Sequence, residues 1–119
     1  MKNEVRKISW EALEEERLSA TVSRQMVTGE KATLTRMSAK NGAEIPRHSH
    51  PNEEYMMVTS GALRYQFDDS EMVVNANDVL IVPPDVPHSI RVEGDATFFV
   101  FFSPAREDWL RGEDQYLRR

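Results

Sequence analysis

From Ala20 onward the chain breaks into short β-rich runs separated by Gly, Pro, Asn and Asp. This is the punctuation of an antiparallel all-β domain. The predicted strands are Ala20–Val27, Ala32–Ala39, Glu53–Thr59, Ala62–Phe67, Glu71–Val74, Val79–Val82, His88–Val92 and Ala96–Ser103. Polar connections fall at Gly29, Lys40–Gly42, Ser60–Gly61, Asp68–Ser70, Asn75–Asp78, Pro83–Pro87 and Glu93–Asp95. So many short strands with so few long loops predict a sandwich or barrel, because closing a sheet removes edges that would otherwise pair with other chains. Two ends depart from the pattern. Ser9–Leu18 reads as a short helix with Trp10 and Leu13 on one side, and Ala105–Leu117 reads as a segment packed on the outside of the barrel or on another subunit. The 119 residues suit one domain, with a barrel over about 20–104 flanked by segments 1–19 and 105–119.

Composition narrows the partners. Hydrophobic residues at 39% and charged residues at 29% are the balance of a globular chain. Twenty acidic against fifteen basic residues give a formal charge of -5, which repels nucleic acid and an anionic membrane surface. The absence of cysteine excludes disulfides, thiolate metal sites and a thiol nucleophile, and it fits a reducing cytoplasm. No apolar run at the start resembles a signal-peptide core, and none elsewhere approaches the length of a membrane span. A cytoplasmic protein is expected.

The chain has three histidines, two of them in His48-Ser49-His50. On an extended strand, residues two apart share a face, so both imidazoles project together at a separation one ion can bridge. Glu54 follows a Pro51-Asn52 bend, and His88 follows the stiff Pro83–Pro87 turn. Surface or core histidines with ordinary hydrogen bonds are the bland alternative, but here every histidine falls into one spaced pattern. Three imidazoles and a carboxylate without sulfur suit a divalent Mn, Fe, Co, Ni, Cu or Zn ion.

These residues carry a resemblance. Gly42-Ala-Glu-Ile-Pro-Arg-His48-Ser-His50-Pro-Asn-Glu53-Glu54, then Gly61, is similar to the first motif of the cupin family, and Asn77-Asp78 to Pro83-Pro84-Asp85-Val86-Pro87-His88 resembles the second. In the second motif Asn77 and Asp85 stand where the family has glycine, and they are the non-glycine residues that best tolerate a left-handed backbone. The resemblance implies a double-stranded β-helix, or jelly-roll barrel, with one metal ion on His48, His50, Glu54 and His88. Strand alternation places Glu53 and Glu54 on opposite faces; the family spacing selects Glu54 and leaves Glu53 to solvent.

A narrower likeness lies at the C-terminus. Val100-Phe101-Phe102-Ser103-Pro104-Ala105-Arg106 resembles the ending of small cupins that open the ring of unsaturated uronates. The likeness implies Phe102 as a pocket wall and Arg106 as a clamp for a substrate carboxylate, for which a planar guanidinium is suited. Pairing of Arg106 with Glu107, Asp108 or another subunit is the alternative. Val100 stands where those proteins carry an aspartate, which removes an acid/base group beside the metal. Phe98, Val100 and Phe102 are expected to face inward, with Phe99 and Phe101 against a second layer or a partner. Met37, Met56, Tyr65 and Ile90 complete the expected pocket, with Tyr65 as its hydroxyl.

Three functions follow: a metal-dependent isomerase or ring-opening enzyme on a small sugar-acid-like or oxygenated molecule, an iron-dependent dioxygenase, or a module that binds a ligand or metal without turnover. Family resemblance also implies a homodimer, for which Trp10, Trp109 and Leu110 are the candidate contacts.

Overall fold

The computed structural model describes residues 4–118. After a single 3-10 turn at Trp10–Ala12 come strands β1 (Glu16–Arg17), β2 (Val22–Thr28), β3 (Thr33–Ala39), β4 (Glu44–His48), β5 (Glu53–Gln66), β6 (Glu71–Asn75), β7 (Val79–Val82) and β8 (His88–Ser103). A short helix α1 (Glu107–Leu110) and a 3-10 turn at Gln115–Leu117 end the chain. The named strands pair antiparallel, in the order β1-β2-β3-β8-β5-β6, with β4 on β8 and β7 on β5, and an isolated parallel bridge joins Val58 to Ala76.

Two long strands organise the fold. The first half of β5 pairs with β7 and with the second half of β8, and the second half of β5 pairs with β6 and with the first half of β8. Each strand therefore belongs to both layers of a jelly roll. The register of β5 against β8 shifts on both sides of Ser60, where Gly61 adopts φ +76, and Gly94 in β8 adopts φ +72. A bulge with a left-handed glycine bends a strand without ending it. This corrects the expectation of four separate strands: Ser60–Gly61 and Glu93–Asp95 are bends inside β5 and β8.

Three further expectations change. Ser9–Leu18 is one 3-10 turn followed by β1, with Trp10 resting on Phe99 rather than on a helix partner. Glu44–His48, absent from the predicted strands, is strand β4, paired with β8 through Ile45 and Ile90. The tail does not lie outside the barrel: Trp109 and Leu117 are buried in the main core with Phe98, Phe102 and Met37.

Alternation sets the core. Val22, Met37, Met56, Val58, Leu63, Val74, Val82, Ile90, Val92, Phe98, Val100 and Phe102 point inward and are buried, and this apolar burial is the main force holding the layers together. The opposite face of the β7–β5–β8 layer is open. Val79, Ile81, Met57 and Phe101 are exposed there, and the strand register places Ile81, Tyr55 and Phe101 in one row and Val79, Met57 and Phe99 in the next. Phe101 is thus left partly exposed by the described residues. No helix among the described residues is long and apolar enough to cross a membrane.

Candidate metal centre

Backbone hydrogen bonds pre-set each histidine. His48 Nδ1 lies 2.7 Å from the Pro46 carbonyl, His50 Nδ1 3.0 Å from Asn52 O and His88 Nδ1 2.8 Å from Val86 O. A carbonyl only accepts, so every Nδ1 carries the proton and every neutral ring offers its Nε2 lone pair. Ligand atoms of the three rings lie within 4.8 Å of one another. The rings come from the end of β4, the following loop and the start of β8.

Glu54, near the start of β5, brings a carboxylate to the same point. Its Oε1 is 3.1 Å from His50 Nε2 and 3.5 Å from His88 Nε2, and all three side chains are buried. The longer approach forms no hydrogen bond, and His88 Nε2 is a buried polar atom without a partner. Lone pairs on imidazole and carboxylate facing one another in a dry pocket repel unless a cation lies between them. The donor set fits a divalent transition ion.

Tyr65 reinforces that arrangement. Fully buried, it does not line the cavity; its hydroxyl donates to Glu54 Oε2 at 2.6 Å and aims the other oxygen at the histidines. Burial pushes the Tyr65 phenol well above its ordinary value, and the Glu54 charge pushes it further. Burial alone would raise the Glu54 carboxyl, but its close neighbours His50 and His88, together with the Tyr65 hydroxyl that donates to it, outweigh burial and hold it well below the usual carboxylate range. Desolvation lowers His48 to about 4, with the other two histidines adding to the effect. His88 is raised, because the adjacent Glu54 outweighs its burial.

Beside the histidines is a cavity of only about 30 Å³, whose lining includes Met56, Val100, Phe102, Arg106, Trp109 and Tyr116. That is room for a water or two, well short of the few hundred cubic ångströms of a ligand site. The C-terminal segment fills the remainder. The Tyr116 ring lies 4.5 Å from that of His48, and its hydroxyl accepts from Arg106 Nη2 at 3.0 Å and Trp109 Nε1 at 3.1 Å. Arg106 is buried over the Trp109 ring at 4.0 Å and over Phe102 at 4.6 Å, and it pairs with Asp108 at 2.8 Å. Of the two roles open for Arg106, the structure displays pairing with Asp108.

Arg24 escaped the sequence reading. It takes an inward slot of β2 between Val22 and Met26, with its guanidinium 4.7 Å from the Trp109 ring, bonded to Asp114 at 2.9 Å and to Glu16 at 3.2 Å. Its one available signal was a charge on the apolar face of an alternating strand.

Comparison with known proteins agrees with this architecture. A family model described as a cupin domain matches residues 35–103. Among solved structures, an RmlC-like cupin from Shewanella frigidimarina is 27% identical, with a TM-score of 0.81 over 92% of this chain and 99% of that one. KdgF from Halomonas sp. is 17% identical, with a TM-score of 0.77 over 85% of this chain and 96% of that one. Oxalate decarboxylase of Bacillus subtilis, described with Mn(II) centres, is 22% identical with a TM-score of 0.73 over 87% of this chain and 33% of that one. Protein SchB of Streptomyces halstedii is 38% identical over 55 residues, which are 45% of this chain and 40% of SchB. The chain therefore matches less than half the length of that relative. A family match that spans more than half of the chain, on a jelly roll whose histidines converge at one point, leads to one conclusion: the chain belongs to the cupin family.

Proposed function

We propose that the protein is a metal-dependent enzyme of the isomerase or ring-opening type, acting on a small sugar-acid-like or oxygenated molecule. One divalent ion would be held by His48, His50, Glu54 and His88. The observation that carries this reading is the unpartnered, buried Nε2 of His88 beside two further imidazoles whose Nδ1 protons are already committed. Such an ion supplies Lewis acidity toward a substrate oxygen. The chain's own residues do the rest. Tyr65 fixes the Glu54 carboxylate, Phe102 and Met56 keep the site dry, and Arg106 is the cation able to orient a substrate carboxylate. The Mn(II) centres of the oxalate decarboxylase neighbour make manganese the first ion to test.

A non-catalytic ligand- or metal-binding module is the second reading. Val100 in the cavity wall supports it, because it offers no proton-transfer group. An iron-dependent dioxygenase is a third reading, separated from the others by oxygen consumption. The primary test is elemental mass spectrometry of protein purified without a chelating tag, beside a His48→Ala/His88→Ala variant. About one ion per chain, lost in the variant, is the expected result. Folded wild-type protein that takes up none of the six candidate ions would sink the metal-dependent reading.

The protein is further proposed to pair as a homodimer through the open β7–β5–β8 face. Trp109 is committed to the core of its own chain, whereas Ile81, Met57 and Phe101 form a contiguous exposed apolar patch that a second copy can cover.

A further inference from the structure

We propose that Glu107–Leu117 is a displaceable plug whose own carboxylates hold the two buried guanidiniums of the barrel mouth, so that an anionic small molecule must exchange with it to enter. The inference rests on the reading of the histidine cluster as a substrate-binding metal centre, and it adds how access to that centre is regulated.

The cations belong to the barrel. Arg24 sits on β2, paired in register with Met37, and the Arg106 backbone N–H is bonded to Thr33 Oγ1 at 2.9 Å. The Asn52 amide donates to the carbonyls of Pro104 and Ala105, which ties the chain to the barrel up to Arg106. On Arg106, and on Arg24 alongside Glu16 of β1, the anions come from the segment beyond that point. Asp108 takes Arg106 through both carboxylate oxygens at 3.0 and 2.8 Å, and Asp114 takes Arg24 at 2.9 Å and Arg118 at 3.0 Å. Among the described residues, nothing in 107–118 enters a strand ladder; the segment is a one-turn helix and a 3-10 turn without side-chain caps.

The plug occupies the place a ligand would need. Tyr116 lies on the His48 ring, Trp109 lies beneath both guanidiniums, and Leu117 lines the small cavity between them. Lifting the segment away would uncover Arg106 beside His48 in the cavity wall and leave Arg24, now on the Trp109 ring, with Glu16 of β1 as its carboxylate partner. Arg24 Nη1 is buried without a hydrogen-bond partner, so the internal carboxylates leave donor capacity unused. A small carboxylate can supply what Asp108 and Asp114 supply now, as a bidentate partner for guanidinium.

The test uses full-length, metal-loaded protein with D-glucuronate as the anionic probe and glucose as its neutral control. Amide hydrogen exchange is followed across 107–117, and affinity is measured by calorimetry in wild type and in Asp108→Asn/Asp114→Asn. Glucuronate is expected to speed exchange in the segment, and glucose to leave it unchanged. The double substitution keeps side-chain volume but loosens the latch, and it is expected to bind glucuronate about tenfold more tightly, since a closed plug lowers apparent affinity by the open fraction. Binding without any change in exchange of 107–117 would overturn the proposal, as would a loosened segment with unaltered affinity. So would metal-loaded wild type that does not bind the probe. The wild-type exchange experiment stands even if the double variant does not fold. Absence of metal in the purified protein, by contrast, counts against the enzymatic reading itself.

Discussion

Gly61→Ala tests the account of how one strand comes to serve two layers. A Cβ at position 61 would lie 2.5 Å from the Asp95 carbonyl oxygen and 2.8 Å from both Cα and Cβ of Ala96. Those atoms are a backbone carbonyl, a Cα and an alanine Cβ of β8, none of which can rotate aside as the far end of a flexible side chain would. The left-handed backbone adds about 1 kcal/mol for any residue with a Cβ, and forced overpacking adds about 1–3 kcal/mol. The expected loss is roughly 3 kcal/mol, a large part of the stability of a small domain. Gly94→Ala is the matched control: its φ is +72, but nothing lies within 4 Å of the added carbon. Its loss should stay near 1 kcal/mol, partly offset by a stiffer unfolded chain. Urea denaturation followed by fluorescence separates the two, because the difference of about 2 kcal/mol moves the midpoint by about 1 M at a typical slope. Equal destabilisation by the two substitutions would refute the close approach of Gly61 to β8 as the cause.

Asp114→Asn should lower the melting temperature at pH 7 by several degrees, the equivalent of about 1 kcal/mol. Burial would raise the Asp114 carboxyl, but Arg118 and Arg24 hold it below its ordinary 3.8, so its ionic stabilisation is present above that value and lost as the pH falls through the lower folded one. The gap between wild type and Asp114→Asn should therefore close in strong acid; a gap that persists there would point to packing instead. Ile81→Glu, on the β7 side of the open apolar face, should shift light-scattering mass from dimer to monomer at micromolar concentration. A wild type that is already monomeric would reject that interface.

The histidine pattern was legible because it is local. His48 and His50 are two residues apart, and Glu54 precedes the alternation Met56, Val58 that fixes which face it takes. The substitutions at the second motif were legible for the same reason: Asn77 and Asp85 do adopt positive φ, at 75° and 66°. Bends were harder. A glycine between two apolar runs reads alike whether it closes a hairpin or kinks a continuous strand, and the difference at Gly61 lies in pairing to β8, more than thirty residues away. Strand β4 was masked by Pro46 at its centre. The plug was the least legible part, since Trp109, Tyr116 and Leu117 follow no strand or helix period and their partners, Phe102, His48 and Arg24, become neighbours only once the barrel exists.

The backbone clasps on the three imidazoles bear on how the protein responds to metal supply. Each ring is oriented by folding alone, so an incoming ion finds its ligands already turned toward it and loses little of its binding free energy to reordering. The converse is that without an ion the site would weaken the fold, because the buried, unpartnered His88 nitrogen faces the ionised Glu54 carboxylate. An ion bound there would act as a folding ligand: well above the dissociation constant the stability rises with the logarithm of free metal, and the ratio of folded to unfolded chain in proportion to it. In a cell, the abundance of this chain would then report metal availability before any reaction was catalysed.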